Sequence, residues 1–265
     1  MIAEAFAYAI AVTLLIGLAG VCVERFLAEL GRPRRIAWFG AYAVAIIFPL
    51  VSLLLADARP VEAVLASSAG SASAPVPIDW DALLLRGWAA ATAVLALGYA
   101  AAWIRLALLS KRWPRVANEQ ARVVLADDVG PAVLGVFRPR IVLPRWLAAA
   151  PETVRSAVVA HELEHIAARD QASIVAAQLV AVLLPWNLPL WWFARRLRAA
   201  IEVDCDARVL RRGVDPAHYA DVLLEVGQRG ATSPYPAPTL IEPVTLLEKR
   251  IRIMLTRPRP GAALR

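Results

Sequence analysis

Cysteine and histidine are scarce in this chain, and several long stretches carry no charge at all. Two cysteines in 265 residues, Cys22 in an apolar run and Cys205 far beyond it, do not make a disulfide framework. No small-residue cleavage site stands out after the first apolar run, which reads as an uncleaved anchor rather than a signal peptide. The net charge is +7 and the pI about 10.1, yet no recognition module or aromatic–basic stripe accompanies them. Direct nucleic-acid binding is therefore not expected, and arginines flanking membrane helices on an anionic leaflet account for the charge. The apolar runs hold few charges, which argues against a transporter or channel.

What is present is hydrophobicity: 59% of residues are apolar and the mean hydropathy is +0.56, beyond the range of an ordinary soluble domain. Three runs are long enough to cross a bilayer core, at about 3–23, 36–56 and 83–109, the last if Arg86 snorkels to the interface. Arg25, Arg32, Arg34 and Arg35 lie between the first two runs, and Arg105, Lys111, Arg112 and Arg115 close or follow the third. Between the second and third runs the basic residues are Arg59 and the edge residue Arg86, amid Asp57, Glu62, Asp79 and Asp81. The positive-inside rule places the N-terminus outside, 57–80 as an external linker and the segment after Lys111 in the cytoplasm.

Two of the three histidines stand in His161-Glu162-Leu163-Glu164-His165, followed by Arg169-Asp170. Residues i and i+4 share a helical face, so two imidazoles can grip one zinc ion while Glu162 reaches a water beside it. Pro151 and Glu152 suit the opening turn of that helix. The alternative is a chance match on a solvated helix. Glu164 is expected to face solvent or to pair with a basic group elsewhere in the fold.

Residues 171 to 194 are also uncharged, but a simple crossing would strand Glu202, the best candidate for a third ligand, on the far side of the membrane. Pro185-Trp186-Asn187-Leu188-Pro189 supplies a turn. The run is expected to form a re-entrant helical hairpin over 171–197, with Trp186, Trp191 and Trp192 near an interface. Simple mirror arithmetic pairs Glu202 with Asp170 rather than His165, so the arms must bend or splay by about a turn. Ahead of the zinc helix, Arg122–Leu125 and Arg140–Leu143 read as short strands, with a third over Val133–Phe137 that could offer a substrate an edge. His218 and Tyr219 are candidate oxyanion donors, or simply part of a packed helix. Glu242 is an alternative to Glu202 in a Pro-rich loop, and Trp146 reads as interfacial or core.

Four segments in this order resemble the BlaR/MecR-type membrane metallopeptidases, metallopeptidase family 56. They are Gly135-Val136-Phe137-Arg138-Pro139-Arg140-Ile141-Val142-Leu143-Pro144, the His161–His165 motif with Arg169-Asp170, Trp186-Asn187-Leu188-Pro189-Leu190-Trp191-Trp192, and Glu202-Val203-Asp204-Cys205-Asp206-Ala207-Arg208-Val209-Leu210. The resemblance covers roughly 87–255. It implies a mainly α, integral membrane protein: three transmembrane helices over 1–110, then a cytoplasmic gluzincin-like zinc protease domain over 111–265 with a small β-sheet.

It also implies one zinc ion held by His161, His165 and Glu202, with Glu162 as general base. By analogy with related membrane zinc proteases, Asp206 would orient a ligand histidine; Asp170 would do the same or cap a helix. The expected location is the bacterial cell membrane with the site facing the cytoplasm. The expected partners are the lipid bilayer, a protein substrate such as a winged-helix repressor or the chain itself, and a second copy in a homodimer. A non-catalytic scaffold with a structural zinc site is the alternative. The family's best-known members carry an extracellular penicillin-binding domain after a further span. Here only Leu255 to Arg265 follow Met254, without an apolar run, so a β-lactam sensor is not expected.

Overall fold

The computed structural model describes residues 2–56, 79–116, 121–127, 129–230 and 244–256. Most of the expected linker, Asp128 and Glu242 lie outside them. The apolar runs form α1 (Ile2–Glu29), α2 (Arg35–Ala56) and α3 (Trp80–Ser110). Among the described residues, α1 and α3 are each long and apolar enough to cross a membrane, while the apolar stretch of α2, Arg35–Pro49, is shorter. At the start of α3, Asp79 caps the helix by accepting from the backbone N–H of Ala82.

A four-stranded mixed sheet follows, built from β1 (Arg115–Val116), β2 (Val123–Ala126), β3 (Ala132–Leu134) and β4 (Arg140–Pro144) in the order β1-β2-β4-β3. β2 and β4 pair in parallel, and β3 pairs antiparallel with β4 as an edge strand. The third strand is shorter than Val133–Phe137. Gly135 turns the chain at φ +96, and Phe137, at 97% exposure, sits in the turn rather than the ladder. β1 was not foreseen, because two exposed residues carry no alternation to read.

The helices α4 (Arg145–Ala148), α5 (Glu152–Ala167), α8 (Pro216–Gly230) and α9 (Val244–Thr256) pack with the sheet around Ile141, Leu147, Val158, Tyr219 and Val222. The run after the histidine motif becomes α6 (Asp170–Leu183) and α7 (Leu188–Arg211), joined by a turn at 184–187. They form an antiparallel hairpin: Asp170 at the start of α6 meets Arg208 near the end of α7. At the tip, Trp186 stacks on Phe6 with ring centroids 4.1 Å apart, and Trp88 of α3 donates to the carbonyl of Leu183. The Asn187 amide donates to the Thr13 hydroxyl. These tryptophans therefore pack between helices.

A second core joins the hairpin to α1 and α2 through Trp38, Tyr42, Leu190, Phe193 and Leu197. Gly17 allows the approach, because a Cβ there would stand 2.3 Å from the Trp192 ring and 2.5 Å from Phe193. Between α5 and α6 the chain turns by 60°, with Arg169 left-handed at φ 54. That bend supplies the adjustment the mirror arithmetic requires: α5 leaves the line of α6 and crosses α7 at Glu202 rather than running past it.

Candidate metal centre

The site forms where α5 crosses α7. On α5, His161 and His165 share a face and their rings meet edge to face with centroids 4.6 Å apart. On α7, Glu202 and Asp206 are again i and i+4, so both turn toward the histidines. Asp204 points the other way, toward the start of α2, while Arg208 reaches Glu164 on α5 and Asp170 at the start of α6.

Hydrogen bonds define which ring nitrogens face inward. Asp206 accepts twice from Arg250, at 2.8 Å from Nε and 2.7 Å from Nη2, so its oxygens act as acceptors. Tyr219 donates its hydroxyl to Asp206 at 2.9 Å, which leaves the phenolic oxygen to accept from Nδ1–H of His161 at 2.8 Å. On the other ring, Nδ1–H of His165 donates to Asp170 at 2.9 Å. Both imidazoles thus donate from Nδ1 and turn Nε2 toward the same point. The two Nε2 atoms stand 3.1 Å apart, and Glu202 Oε2 lies 3.5 Å from one and 3.7 Å from the other.

Three electron-pair donors facing one another that closely repel unless a positive charge sits among them. The edges of a tetrahedron with metal–ligand bonds of about 2.0–2.1 Å are roughly 3.3–3.4 Å, so this triangle is of the right size for zinc. The surroundings agree. Burial works against charge on His161, but Cys205 and Glu202 favour it and hold its pKa up, at about 10, so that without a metal a proton supplies the positive charge at this ring. Burial would raise the Glu202 carboxyl, yet His165 and Arg250 hold it well below the usual carboxylate range. Both shifts favour a positive charge between the rings and Glu202.

Cys205 is the residue that sequence reasoning missed here. Its buried Sγ belongs to a His161–His165–Cys205 group whose ligand atoms all lie within 4.8 Å of one another, a set that could hold a metal ion. The thiol, however, lies 3.3 Å from Nδ1 of His161, the nitrogen that does not belong to the Nε2 triangle, and 3.4 Å from the His161 carbonyl. Glu202 is the side chain that faces both Nε2 atoms. Glu162 is 5% exposed beside them. Burial pushes its carboxyl up, the two imidazoles pull it down, and Glu202 adds to the rise. Among the described residues no side chain donates a hydrogen bond to it.

The two oxyanion candidates differ in burial. His218 is exposed on α8, its backbone N–H held by Asp215. Tyr219 is fully buried behind His161, a packing position rather than one open to substrate. Glu164 pairs with Arg208 and Arg212, the basic partners that its own helix lacks. Arg35, Arg208 and Arg250 all reach the site, and none was legible as a site residue.

Residues 74–254 match the family described as BlaR1 peptidase M56. The chain belongs to that family. Among curated proteins, "Regulatory protein BlaR1" of Bacillus licheniformis is 27% identical over 97 residues. The match spans 36% of this chain and 16% of that protein. The family membership makes the fold that of an M56 peptidase, and its apolar helices fit membrane association. The segment matched to the family contains every residue of the α5–α7 crossing and Arg250.

Proposed function

We propose that the protein is a membrane-embedded zinc-dependent endopeptidase of regulatory type, cutting itself or a cytoplasmic transcriptional regulator in response to an envelope signal. The observation that carries this reading is the triangle of His161 Nε2, His165 Nε2 and Glu202 Oε2 with Glu162 buried beside it. His161, His165 and Glu202 would hold the zinc, and Asp170 and Asp206 would orient the ligands through the hydrogen bonds described. When bound, the zinc supplies a Lewis acid that activates water and polarises a peptide carbonyl.

Glu162 takes the proton from the attacking water and returns it to the leaving amine. Its carboxyl, raised by burial, is suited to both halves of that task. An extended substrate would lie along the outer edge of β3, the edge strand among the described residues, where main-chain hydrogen bonds give binding without a sequence requirement. The positive-inside reading sets α1 with its N-terminus outside and the α1–α2 loop in the cytoplasm. The centre is level with that loop, since Asp204 accepts from the backbone of Arg34 and Arg35. The hairpin then rises from the centre into the bilayer, its tip beside Phe6 and Trp88.

A non-catalytic scaffold with a structural zinc would have no use for a buried carboxylate beside its ligands. The deciding experiment is Glu162→Gln in the full chain. The variant is expected to bind one zinc and to lose cleavage of itself and of a repressor encoded beside it, by at least about a hundredfold. Undiminished cleavage would assign the activity to another protease, and zinc binding without any cleavage by the wild type would favour the scaffold.

A further inference from the structure

The first turn of α2 is locked to α7 and to His165 in a way that the peptidase reading does not require. Asp204 accepts from the backbone N–H of Arg34 at 2.9 Å and of Arg35 at 3.0 Å. These amides open α2, where no intrahelical acceptor exists and the helix dipole is positive. A side chain of α7 thus caps α2 across 170 and 169 residues of sequence.

The Arg35 side chain continues from that cap. Its Nη1 donates to Asp170 Oδ1 at 2.7 Å, while the other oxygen, Oδ2, accepts from His165 Nδ1 at 2.9 Å and Arg208 Nη2 at 3.0 Å. Asp170 has no exposure, His165 8% and Arg35 21%, so the line runs inward from a partly wetted arginine to a buried imidazole. A carboxylate held at both oxygens cannot rotate. Its hold keeps the His165 proton on Nδ1 and turns Nε2 toward Glu202.

We infer that Arg35 is a positioning residue for the metal centre: acting through Asp170, it orients His165, so that the loop between α1 and α2 governs how tightly the centre holds its ion. A shift of α2 along its axis would pull Arg35 from Asp170 and loosen one ligand without touching it. The inference rests on the metallopeptidase reading and adds the connection between a membrane helix and the ligand set.

The test is zinc affinity of the full chain in detergent, by competition with a zinc-chelating fluorophore, alongside helicity and melting of the metal-free protein. The variants are Arg35→Gln, Asp170→Asn and the pair together. Arg35→Gln is expected to weaken binding about tenfold and Asp170→Asn about ten- to a hundredfold. If Arg35 acts through Asp170, the double variant binds no more weakly than Asp170→Asn alone. Should Arg35→Gln fail to fold, Arg35→Lys takes its place, with a smaller loss that again vanishes beside Asp170→Asn.

Wild-type affinity in a folded Arg35→Gln, or losses that multiply in the double variant, would overturn the inference and leave the peptidase reading standing. A wild type that takes up no zinc would overturn both.

Discussion

The hydroxyl of Tyr219 lies 2.8 Å from Nδ1 of His161, although 58 residues separate them, and the same hydroxyl donates to Asp206. The carboxylate's acceptor role dictates the direction of both bonds, and with it the tautomer of a candidate ligand. Tyr219→Phe keeps the packed ring and removes only the oxygen. It is expected to lower zinc affinity by about tenfold and stability by about 1 kcal/mol. Chelator competition and thermal melting measure the two separately, and unchanged affinity would show that the tautomer is set elsewhere.

Two donor sets share the His161–His165 pair, one completed by Glu202 and one by Cys205. The Nε2 triangle selects Glu202, so Glu202→Ala should abolish stoichiometric zinc uptake while Cys205→Ala retains it within a few-fold. Zinc content of the two purified variants distinguishes the sets. Retention in Glu202→Ala together with loss in Cys205→Ala would reverse the assignment.

The histidine pair was legible because an i,i+4 spacing needs only the helix to bring its members together. Glu202 and Asp206 share that property on α7, and the need to bring Glu202 back to the histidines pointed to a hairpin. What could not be read is how α5 meets α7. That depends on one left-handed residue, Arg169, of a type for which this conformation is uncommon. The arginines were hidden for a different reason. Arg35 reaches Asp170 across 135 residues and Arg250 reaches Asp206 across 44, and nothing local separates them from the other 27 of the 29 basic residues. The third strand stops short of Phe137 because the positive φ of Gly135 ends it, a backbone turn that an apolar pattern does not reveal.

The bend at Arg169 makes its own prediction. A non-glycine residue at φ 54 costs about 1–2 kcal/mol, more if β-branched. Arg169→Gly should leave stability within about 1 kcal/mol of wild type, relief of strain being offset by the added freedom of the unfolded chain. Arg169→Val should lower both melting temperature and zinc affinity, since straightening the bend carries His165 away from Glu202. Wild-type behaviour of the valine variant would place the origin of the bend in the packing of α6 instead.

Arg250 is 3% exposed and comes from α9, yet its guanidinium holds Asp206 at two atoms and approaches Glu202 Oε2 at 3.3 Å. It is the cation that allows two carboxylates to share the inside of one helical turn. Arg250→Met fills much of the same volume but leaves both acids without that partner, and breaking such a buried pair costs about 3–5 kcal/mol. The metal-free variant should therefore melt well below wild type. Arg250→Lys, which keeps the charge but loses the planar fork, should fall between them. If methionine proved as stable as arginine, the carboxylates would have to be neutralised by protonation. The Tyr219–Asp206–His161 hydrogen bonds would then run in the opposite sense, and the Nε2 triangle would lose the argument on which the zinc site is built.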